Sequence, residues 1–172
     1  METTDNQDEL FVVVDKNDKV VGYRTRKECH QNKTLIHRSV GMVISNAKGE
    51  ILLQKRSLTK DLYPGFYSSS CSGHLKKGED YQKAAEREIK EELGVARKLN
   101  IKIFKKIIIA TGWETEMYTI LLAKDNGPFN LNLEEIEFVK FFPKHKVKRL
   151  FKERKLFFEP YAERALRELK II

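Results

Sequence analysis

The stretch GHLKKGEDYQKAAEREIKEELGV, Gly73 to Val95, decides the reading of this chain. Reduced to its spacing it is G-x5-E-x7-R-E-U-x-E-E-x-G-U, with U aliphatic. Gly73, Glu79, Arg87, Glu88, Ile89, Glu91, Glu92, Gly94 and Val95 fill the fixed places. From Asp80 to Leu93 the residues are good helix formers without Pro or Gly, and Gly94 stops the helix at a C′ position. Glu88, Glu91 and Glu92 stand at i, i+3 and i+4 and share one helix face. Like charges on one face repel, so a helix that keeps three carboxylates together is expected to hold a cation on them. Hard divalent ions such as Mg²⁺ take oxygen ligands and bridge to substrate phosphates. Ile89, with Ala85 and Leu93 four residues to either side, makes the opposite, buried stripe. Arg87 and Glu79 are expected to pair and anchor the loop Gly73–Gly78 against the helix. Taken alone, the alternation of Glu, Lys and Arg would describe a solvated helix face. The whole spacing favours the metal-binding reading.

Size and composition bound the answer. At 172 residues, 41% hydrophobic and 34% charged, the chain suits one globular domain, 1–172, with a proper core. No window of about 18 apolar residues exists to span a membrane. The N-terminus METTDNQDEL is acidic and polar, unlike a signal peptide, and residues 1–8 are expected to form a disordered tail. Two cysteines, Cys29 and Cys71, give no disulfide framework, which points to a reducing, cytoplasmic location. The net charge of +8 and pI of about 9.4 suit an anionic substrate. Lysines lie scattered in pairs rather than in one stripe with interleaved aromatics, which argues against nucleic acid as the main partner. A monomer or homodimer is expected.

Outward from the central stretch, the pattern predicts a mixed sheet with helices on both sides. Leu10–Val14 and Val20–Tyr23 flank DKNDK as a hairpin. Thr25 is a plausible N-cap for a short helix through Cys29. His37–Ser45 and Glu50–Arg56 are strands joined by the turn Asn46-Ala47-Lys48-Gly49. Residues 58–65, LTKDLYPG, form a loop. Phe66–Cys71 reads as a strand entering the central stretch. Further strands are expected over Leu99–Ala110, Glu116–Leu122 and Glu137–Phe142, with helices over Lys144–Glu153 and Pro160–Leu169. The fold class is α+β, an α/β/α sandwich.

The gapless spacing of residues 73–95 is similar to the Nudix box, and the order of elements resembles the Nudix fold over nearly the whole chain. The resemblance implies Mg²⁺ or Mn²⁺ held by Glu88, Glu91 and Glu92, with the backbone carbonyl of Gly73 as a further ligand. Within the superfamily the chain resembles the isopentenyl-diphosphate isomerase branch. That branch places metal-binding histidines seven residues apart and in a Gly-His pair that opens the box. Here these are His30, His37 and His74, three of the chain's four histidines. It also places two metal-binding carboxylates in a Glu-x-Glu, matched by Glu114-Thr115-Glu116. Imidazoles with carboxylates suit Zn²⁺, Mn²⁺ or Mg²⁺. Arg26, Arg56 and Lys60 match positions that grip a diphosphate in the isomerases, a task that suits the Arg fork and the Lys point charge. Trp113, Tyr63 or Phe66 would stack on a base or pack on a lipid tail.

Two departures shape the expected function. The isomerase needs a cysteine two residues before the Gly-His histidine, and this chain has Ser72 there. Cys71 is one place earlier, and a one-residue slip on a strand turns the side chain to the other face. A hydroxyl is also a far weaker acid than a thiol. Isomerases of this type usually have a degraded box, whereas REIKEELG is complete here. The reading is a metal-dependent hydrolase of an organic or nucleoside diphosphate, with Glu88 or Glu116 as base. The alternatives are an isopentenyl-diphosphate isomerase and a non-catalytic nucleotide- or RNA-binding protein.

Overall fold

The computed structural model describes residues 5–172. In chain order the elements are β1 (Leu10–Val14), β2 (Val20–Thr25), α1 (Arg26–Gln31), β3 (Ile36–Ser45), β4 (Ile51–Arg56), β5 (Tyr67–Ser68) and β6 (Cys71–His74). They continue with α2 (Tyr81–Leu93), β7 (Lys102–Ala110), β8 (Thr115–Lys124), β9 (Ile136–Phe142), α3 (Lys144–Lys152) and α4 (Pro160–Glu168).

β3 is the hub of the sheet. Along one edge it runs parallel to β8 from Ile36↔Thr115 to Ser45↔Lys124. Along the other it meets β1 at Val13↔His37 and then β6 from Ser39↔His74 to Met42↔Cys71. At Ser45↔Ile51 it hands over to β4, which carries β5 and β9 on its two edges. β7 closes the β8 side and β2 the β1 side, both antiparallel.

The alternation of side chains along a strand sorts the core into two layers. Val40, Met42 and Ile44 of β3 and Met117, Leu121 and Ala123 of β8 pack with Tyr81, Ala84, Ala85, Ile89 and Leu93 of α2. On the other face Val43 joins Ile51, Leu53 and Phe142 against Val147 of α3 and Ala162 and Leu166 of α4. Tyr118 and Ile120 of β8 pack there with Tyr161 and Ala165. Helices therefore cover both faces of a mixed sheet, the α+β sandwich that the pattern predicts.

α2 is bounded as its sequence requires. The Asp80 side chain accepts from the Lys83 amide at 2.8 Å, and Gly94 ends the helix at φ 66°. A Cβ at Gly94 would stand 2.5 Å from the Asn130 carbonyl oxygen, so both the left-handed backbone and the close approach select glycine.

Two expectations need correction. Phe66–Cys71 is not one strand. β5 ends at Ser68 and β6 begins at Cys71, so Gly73 and His74 lie on a strand rather than in a loop. The break occurs where the chain leaves β4 for β3. Ser70 Oγ donates to Leu52 O at 2.7 Å and accepts from Ile44 N at 2.8 Å, bridging the two strands. Residues 5–8, expected in a disordered tail, have a definite place, and Asp5 is buried. Residues 1–4 of that tail lie outside the described residues.

Candidate active site

One cleft, with a cavity of about 370 Å³, takes in both the acidic helix face and two of the histidines, His30 and His74. Its wall at α2 depends on Gly73. A Cβ there would overlap Oε1 and Cδ of Glu88 and lie 2.8 Å from Oε2, so the missing side chain is what lets the Glu88 carboxylate reach β6. Glu88 and Glu92 are buried and Glu91 is exposed. Arg87 ties this corner together. Its Nε and Nη2 donate to Glu79 Oε1 and Oε2 at 2.7 and 3.0 Å, the expected pair. Nη2 also donates to the His74 carbonyl at 2.9 Å. Nη1 donates to Glu88 Oε1 at 2.6 Å and Glu91 Oε2 at 3.0 Å. Gln54 Nε2 donates to Glu92 Oε2 at 3.2 Å.

Burial raises Glu88 to about 7 although Arg87 pulls the other way. Burial and the neighbouring Glu88 push Glu92 well above the usual carboxylate range. Carboxylates held together away from water resist ionisation unless a cation compensates them.

The second cluster brings together all five residues that the sequence pairs with a metal. Nε2 of His30 lies 2.9 Å from Glu114 Oε2, and Nε2 of His37 lies 3.4 Å from the same oxygen. Glu116 Oε1 is 3.4 Å from His74 Nε2 and 3.9 Å from His37 Nε2. One ligand atom from each of His30, His37, His74 and Glu114 lies within 4.8 Å of all the others. The Nε2 atoms of the three histidines and Glu114 Oε2 are buried without a hydrogen-bond partner. The lone pairs of His37 and His74 and the Glu114 oxygen, buried around one point, fit a divalent cation, with His30 able to join them on losing its proton. Phe11 stacks on His74 at 4.0 Å and on His37 at 5.4 Å, which fixes the rings.

Electrostatics splits this cluster. Burial holds His37 below the ordinary imidazole value. Burial with Arg26 and the other histidines holds His74 well below it. Both rings are therefore neutral, the form that ligates. Burial opposes protonation of His30, but Asp61 and Glu114 outweigh it and raise His30 to about 9. Burial would raise Glu114, yet His30 and His37 hold it well below the carboxylate range. Burial and the Glu114 charge push Glu116 well above that range.

The cationic residues line the same cleft, already engaged. Lys60 Nζ lies 2.5 Å from Asp5 Oδ1 and 2.6 Å from Glu135 Oε2. The Asp61 backbone N–H donates to Asp5 Oδ2 at 3.0 Å, and Arg26 Nη1 is 3.7 Å from Asp5 Oδ1. Arg56 donates to the Leu62 carbonyl through Nε and Nη2 at 3.2 and 3.0 Å.

Trp113 corrects an expectation. It is 61% exposed in the turn between β7 and β8 and does not line the cleft. The Thr111 N–H donates to Glu114 O at 2.9 Å, a tight reversal that carries the Trp113 backbone around its tip. Tyr63 does line the cleft, and Phe66 does not. Sequence reasoning missed Ser39, Asp61 and Tyr161. Ser39 stands two residues after His37 on the same strand face, a spacing that would have found it. Tyr161 carries only a helix-start signal after Pro160.

Cys71 is fully buried in the core beside α2, and Ser72 lines the cleft. The register Gly41↔Ser72 and Met42↔Cys71 produces this by strand alternation. Burial, with Glu92 and Glu88 nearby, raises the Cys71 thiol well above its usual value.

Known proteins resemble this chain in sequence and in fold. The "Isopentenyl-diphosphate delta-isomerase 2" of Homo sapiens is 40% identical over 101 residues, which is 51% of this chain and 44% of that protein. The "Isopentenyl-diphosphate Delta-isomerase 2" of Photorhabdus laumondii is 33% identical over 132 residues, covering 75% of this chain and 74% of its own length. An uncharacterized Nudix hydrolase of Pseudomonas aeruginosa is 30% identical over 133 residues, 77% of this chain and 78% of that protein. The crystal structure of DR0079 from Deinococcus radiodurans superposes with a TM-score of 0.76 at 22% identity, over 92% of this chain and 98% of that one, a likeness of fold. The NUDIX domain family matches residues 35–162, and the chain belongs to that family.

Proposed function

We propose that this protein is a divalent-metal-dependent Nudix hydrolase that cleaves a diphosphate linkage in a nucleoside diphosphate or another organic diphosphate. The observation that carries the reading is the placement of Cys71 in the core with Ser72 in the cleft. Moving a proton on an alkene carbon needs a general acid in the cavity, and a buried thiol on the far side of the strand does not provide one. Hydrolysis needs only water, a base and charge compensation.

Glu88, Glu91 and Glu92, with the Gly73 carbonyl, would hold Mg²⁺ or Mn²⁺. When bound, the ion neutralises diphosphate oxygens and acidifies a water. Arg87 keeps Glu88 and Glu91 aligned through Nη1. Arg56, Lys60 and Arg26 would receive the phosphate oxygens, Lys60 and Arg26 by exchanging the Asp5 carboxylate for substrate. Glu88 is one candidate for the base that takes a proton from the attacking water. Glu116 is the other candidate for that role. The His30, His37, His74, Glu114 and Glu116 cluster would hold a second cation, Zn²⁺ or Mn²⁺.

Isomerisation of isopentenyl diphosphate is the second reading, favoured by the convergence of His30, His37, His74 and Glu114 with Glu116 beside them, and by the isomerase relatives. One experiment separates the two. The purified protein is incubated with Mg²⁺ or Mn²⁺ and either isopentenyl diphosphate or a panel of nucleoside diphosphates, nucleotide sugars and dinucleotides. Phosphate release that is unchanged by Cys71→Ala, without allylic product, is expected. Allylic isomer that disappears on Cys71→Ala would overturn the hydrolase reading.

A further inference from the structure

Each carboxylate of the histidine cluster is divided between two tasks. Glu114 Oε1 accepts from the Tyr161 hydroxyl at 2.7 Å, while Oε2 faces His30 and His37 and has no hydrogen-bond partner. Glu116 Oε2 accepts from the Ser39 hydroxyl, while Oε1 faces His37 and His74. All four side chains are buried, at 8% exposure for Tyr161, 3% for Ser39, 1% for Glu114 and 4% for Glu116. A buried carboxylate free to rotate about its last bond would present either oxygen, or both, to the ring nitrogens. A hydroxyl on one oxygen removes that freedom before any ion arrives.

The two hydroxyls come from different elements. Ser39 stands on β3, two residues after His37. Tyr161 stands on the first turn of α4, where Glu159 accepts from the Tyr161 N–H at 2.7 Å and the Ala162 N–H at 2.8 Å. The Tyr161 ring packs against Tyr118 with centroids 5.6 Å apart, which holds the hydroxyl over Glu114. The C-terminal helix thereby reaches into a cluster otherwise built from α1, β3, β6, β8 and the turn before β8.

From this division of oxygens we infer that Tyr161 and Ser39 are positioning residues of the histidine cluster, setting its affinity for a divalent cation by orienting Glu114 and Glu116. The inference rests on the proposal that this cluster binds a cation. Hydrogen-bonding partners of metal ligands commonly change metal affinity by about 10- to 100-fold when removed.

The test uses Zn²⁺ alone, which prefers imidazole-containing sites over all-carboxylate ones. The full chain, stripped with EDTA, is titrated with Zn²⁺ in competition with a chromophoric chelator, and bound zinc is counted after desalting. Tyr161→Phe keeps the ring and deletes only the hydroxyl. Ser39→Ala deletes the hydroxyl on Glu116. Thermal unfolding of each variant in EDTA separates loss of fold from loss of affinity. Wild type is expected to retain zinc at the histidine cluster, with His37→Ala losing it. Each hydroxyl variant should bind zinc about tenfold or more weakly while unfolding near the wild-type temperature in EDTA. Should one variant be unfolded in EDTA, the other decides. Wild-type affinity within twofold in a folded variant overturns the positioning inference and leaves the metal cluster standing. A wild type that retains no zinc sensitive to His37→Ala overturns the cluster reading and this inference with it.

Discussion

Gly73→Ala puts the close approach of Glu88 to β6 under test. The new methyl would overlap Oε1 and Cδ of Glu88 and stand 2.8 Å from Oε2. Non-bonded heavy atoms settle at about 3.5 Å or more, so the carboxylate must retreat by upwards of about 1 Å. That retreat strains the 2.6 Å hydrogen bond from Arg87 Nη1. It also shifts the oxygens that would hold the cation. Overpacking of this kind costs about 1–3 kcal/mol, which for a chain of this length lowers the unfolding midpoint by roughly 3–10 °C. A displacement of about 1 Å at a reacting centre costs about a hundredfold in rate. The expected result is a folded variant with a modestly lower midpoint, about a hundredfold less phosphate release, and weakened Mn²⁺ binding at the acidic face followed by the EPR signal of free Mn²⁺. Gly112→Ala is the control, since a Cβ there meets nothing within 4 Å. Wild-type Mn²⁺ binding and turnover in Gly73→Ala would refute the claim that Glu88 must occupy that space.

Glu91→Gln and Glu92→Gln should each cut turnover by about a hundredfold or more through lost charge compensation. For the exposed Glu91, stability in EDTA should change by less than about 1 kcal/mol, and near-normal turnover in both variants would remove their metal role. Asp5→Asn frees Lys60 and Arg26 from a competing carboxylate. KM should fall about three- to tenfold with kcat unchanged, and a KM that stays level or rises would refute the competition. Asp18 is bonded by Arg38 Nε at 2.6 Å, the Tyr81 hydroxyl at 2.7 Å and Lys106 Nζ at 2.5 Å. Burial would raise its carboxyl, but these partners hold it below its usual value. Its stabilisation is present above the unfolded value, about 4, and disappears as pH falls through the lower folded value. Asp18→Asn, which tolerates the φ of 65° at that site, should cost about 1–2 kcal/mol at pH 7 and progressively less by urea unfolding as pH falls through the lowered folded value. A cost that persists unchanged at low pH would refute the assignment.

The helix over residues 81–93 was legible because its signals are local: a run of good helix formers, an apolar stripe and a stopping glycine. The same holds for the β1–β2 hairpin and the Thr25 cap, each set within a few residues. The split of Phe66–Cys71 was not legible, because it follows from which distant strand each half pairs with. The convergence of His30, His37, His74, Glu114 and Glu116 came from matching spacings. Propensity alone carries no information about residues so far apart. The Asp5 contact with Lys60 was hidden because an acidic N-terminus reads as solvated until a cationic cleft is brought to it. Tyr161 was hidden because only the packing of α4 aims its hydroxyl at Glu114. Trp113 went the other way: its chemistry suited a binding role, and a four-residue turn decided its direction.

The parallel seam between β3 and β8 has a consequence for how the molecule is made. Ser39 and Glu116, which meet across it, are 77 residues apart in the chain. On the ribosome β3 is complete long before β8 exists, and its 40–44 segment, VGMVI, is apolar on both faces. Until β8 arrives, that edge is an open template for other chains. Long-range parallel pairing also forms slowly. A cluster whose residues straddle the seam cannot assemble before β8 is made, so the metal capture proposed for it would have to follow the pairing of β3 with β8. Chains cut short before Thr115 would lack the cluster and would also carry a bare, adhesive strand at their centre.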